Sequence, residues 1–202
     1  MGEQTKNLSL TRWMLFNSLG WIIGVIVSIL LAELVEFIKL EFLGFGLGLG
    51  MGTALMQWLV GRRYMAIGIK WVWFGIAGIG GSFLFVDVCM LMVSMLGYNY
   101  NLDGTPAAVA IGLAAAVGSL FTGKLQERML QRLYPNATIR WSQSTFIGWT
   151  TTAILVAVYV GLTIHFHVAR TLASGLANIV VIMSGGPIIG YFTGKKVVML
   201  IK

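Results

Sequence analysis

Residues Trp13 to Leu34 read WMLFNSLGWIIGVIVSILLAEL, a run of 22 residues whose single charge is Glu33. A run of that length and polarity is a transmembrane helix, because about 20 apolar residues at 1.5 Å each cross the ~30 Å hydrocarbon layer. Comparable stretches follow from Phe42 to Val60, Trp71 to Leu96, Ala107 to Phe121, Phe146 to His165 and Leu172 to Phe192. The whole chain agrees with this reading. Of its 202 residues 57% are hydrophobic and 10% charged, against roughly 25% charged in a soluble domain. The expected fold is an all-α integral membrane domain of six transmembrane helices spanning residues 1–202.

The quoted run also opens an internal repeat. Arg12-Trp13, Lys70-Trp71 and Arg140-Trp141 are each followed seven residues after the tryptophan by Gly20, Gly78 and Gly148. Leu59-Val60-Gly61-Arg62, Phe121-Thr122-Gly123-Lys124 and Phe192-Thr193-Gly194-Lys195 then close the copies, their glycines 48, 52 and 53 residues past the tryptophans. Three tandem helical hairpins of about 12–63, 70–132 and 140–196 are the expectation, all in one orientation and therefore related by an axis along the membrane normal.

Charge sets the expected orientation. With the amino terminus inside, twelve of the fourteen basic residues fall on inner segments, and only Lys39 and Arg170 fall outside. That is the positive-inside pattern repeated at each loop, with both termini cytoplasmic. It accounts for the net charge of +7 through topology and attraction to anionic lipid, without a nucleic-acid partner. The first stretch exceeds a signal-peptide core and lacks a small-x-small cleavage site, so it is expected to remain as an anchor. A lone Cys89 gives no disulfide framework.

Within each copy the tryptophan beside a cation reads as an interfacial anchor, and the glycine two turns deeper as a helix contact. Small residues at i,i+4 spacing recur in the second helix of each hairpin: Gly44/Gly48/Gly52 interleaved with Gly46/Gly50/Ala54, then Ala108/Gly112/Ala116, then Gly186/Gly190/Gly194. These rows predict that the second helices pack tightly, meeting one another near the bundle axis. Ser184-Gly185-Gly186-Pro187 predicts a break in the last helix, because proline lacks a backbone donor and clashes one turn back.

Ionisable groups within apolar stretches are the usual functional pointers. Asp87 stands 16 residues past Trp71, about 24 Å along the helix, at the predicted height of His165, His167, Arg170 and Asn178. Together these form a candidate outer polar site. His165 and His167 project about 200° apart on a helix and do not suggest a shared metal, although either imidazole is a candidate axial ligand for a haem or chlorin. From Lys124 to Leu133 the fourth helix is expected to continue beyond the bilayer. Its apolar stripe Leu125, Met129 and Leu133, with Arg128 and Arg132 beside it, is a candidate lipid or partner contact. Tyr134-Pro135-Asn136 is expected to end it.

Trp13…Gly20-Trp21, Gln57-Trp58-Leu59-Val60-Gly61-Arg62-Arg63, Trp71 and Gly148-Trp149 resemble a diffuse group of small repetitive bacterial membrane proteins with Trp…Gly-Trp and Gln-Trp-Leu-Val-x-Arg hairpin motifs. The resemblance implies a bacterial inner membrane and carries no activity with it. The sequence contains no G-x-S-x-G, H-E-x-x-H, P-loop or C-x-x-C motif. The functional expectation is a non-catalytic subunit within or beside a larger membrane complex, through other subunits or self-association. A small-solute or ion transporter is the alternative, and a pigment-binding protein the third.

Overall fold

The computed structural model describes residues 8–35, 40–96, 105–166 and 172–201. Regular structure among them is helical, and six segments are long and apolar enough to cross a membrane. The spans are α1 (Leu10–Val35), α2 (Glu41–Gly61), α3 (Lys70–Gly75) continued through a π turn (Ile76–Gly80) into α4 (Gly81–Met95), α5 (Thr105–Leu133), α6 (Trp141–His165), and α7 (Leu172–Met183) followed by α8 (Gly185–Ile201).

Neighbours in the chain are neighbours in space. Each span packs antiparallel to the one before it, and α8 returns to α1, so the six close into a ring. Small residues mark each seam, as they must where lipid provides no hydrophobic drive and association depends on close backbone approach. Gly44, Gly48 and Gly52 lie against Ala32, Ser28 and the Gly20–Gly24 turn of α1; a β-carbon on Gly44 would come within 2.6 Å of the Ala32 nitrogen. Gly46 and Gly50 face the other way, toward Phe83, Gly75 and Ile79. The alternating glycines of α2 thus serve two partners, one on each side.

Gly186, Gly190 and Gly194 close the ring against Ser18, Met14, Asn17, Leu10 and Trp13 of α1, while Gly112 meets Ala153 of α6 at ordinary contact distance. The expected meeting of the second helices at the axis is therefore corrected. Their small faces are occupied by the first helices on either side, and no substantial contact joins α2, α5 and α8 to one another.

Two departures from helical regularity position the interior. The break expected around Pro187 occurs at Ser184, which leaves the proline in the first turn of α8, where a missing N–H costs nothing. Nearby, the Trp21 indole donates to the carbonyl of Ile182 at 2.7 Å. The π turn lies where Gly75, Gly78 and Gly80 let α2 and α5 approach from both sides; an added residue in a helical turn is stable only where packing accommodates it. The fourth span does extend to Leu133, and the Tyr134 amide bonds back to Leu130 before Pro135.

Candidate functional site

The basic end of the ring, where Arg12, Arg62, Lys70, Arg128 and Arg140 are exposed, is filled by indoles. Trp13, Trp71 and Trp141 are each 0% exposed. Trp141 stands edge-on to both others, with ring centroids 6.2 Å from Trp13 and 5.1 Å from Trp71. An indole N–H buried in hydrocarbon needs an acceptor, and each finds one on the span preceding its own around the ring. Trp71 donates to Gln57 Oε1 at 3.3 Å, Trp141 to Gln126 Oε1 at 2.8 Å, and Trp13 to Thr193 Oγ1 at 2.9 Å, across the seam where α8 closes on α1.

The two glutamines also donate. Gln57 Nε2 reaches Asn17 Oδ1 at 2.8 Å, and Gln126 Nε2 reaches the Trp71 carbonyl at 3.3 Å. The connecting segments fold back beneath this layer, burying Met65, Ile67 and Ile139 with Leu8, Leu130 and Val197. Trp13, Trp71 and Trp141 are therefore core residues, and their reading as interfacial anchors is corrected. Of the remaining indoles near this end, Trp58 lies under the Arg62 guanidinium at 4.5 Å and Trp73 is exposed.

Above the indole layer Trp21 and Trp149 tilt against each other at 5.4 Å, beside Ile79 and Phe83. Toward the far end, beyond this second layer, the ring lines a partly open apolar chamber of about 430 Å³. Every span contributes to its wall, among them Ile29, Phe45, Phe83, Ile111, Val156 and Ile182. Its two hydroxyls are already bonded, Ser28 to the Phe45 carbonyl and Thr152 to that of Gly148. Among the described residues no imidazole, thiol or thioether lines it.

Of the polar site expected from the sequence, the side chains of Asp87 and Asn178 are described. The carboxylate is 3% exposed and accepts the Phe42 and Leu43 amides at 3.2 and 2.7 Å, capping the N-terminus of α2. Asn178 is exposed on α7. The side chain of His165, and His167 and Arg170 altogether, lie outside the described residues, as does any axial ligation of haem or chlorin by either histidine. Glu127 repeats the Asp87 arrangement at the basic end: its Oε2 accepts both the amide and the hydroxyl of Ser142, each at 2.7 Å, at the start of α6. Lys124 pairs with its other oxygen at 3.6 Å.

The α5 stripe is divided. Met129 packs on the basal core, Leu133 is exposed, and Leu125 lines a surface groove; Arg128 and Arg132 are exposed. That groove, about 690 Å³, runs between α5 and the span formed by α3, the π turn and α4. Ala77, Gly81, Ala110 and Ala114 contribute its small side chains, and the exposed Phe85, Leu113 and Phe121 its large ones. The position of a β-carbon on Gly81 has no atom within 4 Å.

Gln57, Gln126 and Thr193 were overlooked as a set. A signal existed for Gln57, the one amide in the apolar run Ala54–Val60, whereas Gln126 and Thr193 stand among the charges of Lys124, Glu127, Arg128, Lys195 and Lys196. Among the described residues no group of three or more His, Cys, Asp or Glu side chains is placed to hold a metal ion. No family model, curated protein or solved structure matches this chain.

Proposed function

We propose that this chain is a non-catalytic polytopic subunit of a membrane complex, and that the groove between α4 and α5 receives an apolar transmembrane helix of a partner. The groove carries the reading: it is concave and apolar, and at Gly81 it leaves helix backbone uncovered, the surface that close helix association in lipid requires. The buried amides and carboxylates support a non-catalytic role, because Gln57, Gln126, Asp87 and Glu127 already bond one helix to another. Filling of the axis by three indoles favours this reading over a solute path through the ring.

The same proposal places the basic end and both termini on the cytoplasmic side of a bacterial inner membrane, in keeping with the charge distribution. It takes the six spans as three tandem hairpins about a pseudo-threefold axis. The recurring indole-to-preceding-span bond supports that symmetry.

The test is purification from the native membrane in gentle detergent, comparing the natural chain with Gly81→Leu. The natural chain is expected to carry stoichiometric partners. Gly81→Leu should lose them at unchanged thermal stability, since its side chain enters open space. Isolation of the natural chain as a lone active monomer would overturn the proposal, and a visible absorption band would replace it with pigment binding. Loss of a vesicle flux in a folded Asp87→Asn variant would replace it with transport.

A further inference from the structure

We propose that the chamber above Trp21 and Trp149 is a binding site for one hydrocarbon chain of a membrane phospholipid, entering from the far leaflet with its headgroup left at the interface. The inference is independent of the partner proposed for the groove.

Four observations carry it. The chamber is walled by residues of all six apolar segments long enough to cross a membrane, with about 430 Å³ of space and a largely aliphatic and aromatic lining. Such a space is not wetted: apolar cavities stay dry, and a bound water needs two to four polar partners. The Ser28 and Thr152 hydroxyls in its wall already donate to carbonyls, which leaves little to recognise a polar headgroup, a quinone carbonyl or a solute. Finally, an approach exists. Ile29 of α1 and Ile182 of α7 both line the chamber and are 52% and 40% exposed, and α7 touches α1 only marginally, whereas α8 packs closely against it.

The surrounding solvent is itself made of acyl chains, so a chain of the bilayer is the occupant available at the highest concentration. Trp21 and Trp149 form the floor and report on it. The indole layer beneath them, bonded from span to span, closes the way to the basic end.

The experiment uses the full chain carrying Trp58→Phe and Trp73→Phe, which removes the partly buried and the exposed indole and leaves only buried ones. It is reconstituted into phosphatidylcholine vesicles with or without bromine atoms midway along the acyl chains, and tryptophan emission is recorded. Quenching is expected in the brominated vesicles. It should disappear in a further Trp21→Phe/Trp149→Phe variant and fall sharply in Gly112→Leu, whose added side chain starts at ordinary contact distance from Ala153 and extends into the chamber. Should Gly112→Leu not fold, Ala153→Leu fills the same space from α6. Emission that is the same in both lipids, while protein retaining Trp73 is quenched as a control, would overturn the proposal. So would quenching that survives either filling substitution, because bulk lipid would then be its source.

Discussion

The basic-end half and the far-end half of this bundle are built from the same six helices and are packed in opposite ways. Around Trp13, Trp71 and Trp141 the ring is filled to the axis, its buried donors are matched to acceptors on the preceding span, and the connecting segments turn inward to cover it. Past Trp21 and Trp149 it is hollow, and the helix ends at Met95, Leu96 and Leu176 stand exposed. The difference teaches that polar side chains in this membrane interior are instruments of closure. Where amides and indoles occur together the bundle is sealed, and where they run out it opens into a chamber.

Trp71→Ala should show the contrast at its largest. It removes an indole packed edge-on with Trp141 and strands the Gln57 carbonyl, and a loss of about 3–5 kcal/mol is expected for so large a buried truncation, read by reversible unfolding in mixed micelles. A loss near zero would mean that the basal layer is not the structural half. Gln126→Leu comes next. It leaves the Trp141 N–H unpaired at full burial, which costs about 1–3 kcal/mol. The smallest effect sharpens the comparison with matched truncations: Val197→Ala, 0% exposed in the basal layer, should cost about 2 kcal/mol, and Val156→Ala, on the chamber wall, under about 1 kcal/mol. Equal costs at the two valines would erase the distinction between the halves.

Much of the fold was legible beforehand. The six spans follow from run length and polarity, the break near Pro187 from the missing proline donor, and the two glycine rows of α2 from their spacing. The direction in which those rows faced was not legible, because a small residue states that something comes close and not what. The tryptophans misled for a related reason. Beside a cation an indole suits the headgroup layer, and its N–H bonds as well to interfacial water as to a buried glutamine. The sequence shows the donor and leaves its acceptor, here Gln57, Gln126 or Thr193, distant in the chain. Asp87 stood out in the sequence as a carboxylate in an apolar stretch, but the helix terminus it caps lies 44 and 45 residues away in sequence.

Composition and periodicity, taken alone, determine that this chain has six helices long and apolar enough to cross a membrane and that its helices approach closely, since both depend on local transfer energies and on side-chain size. Tertiary structure decided which polar group answers which, that the axis is sealed at one end, and that a chamber remains at the other. Those outcomes depend on contacts between residues up to 180 positions apart, as Trp13 and Thr193 are, and no local pattern encodes them.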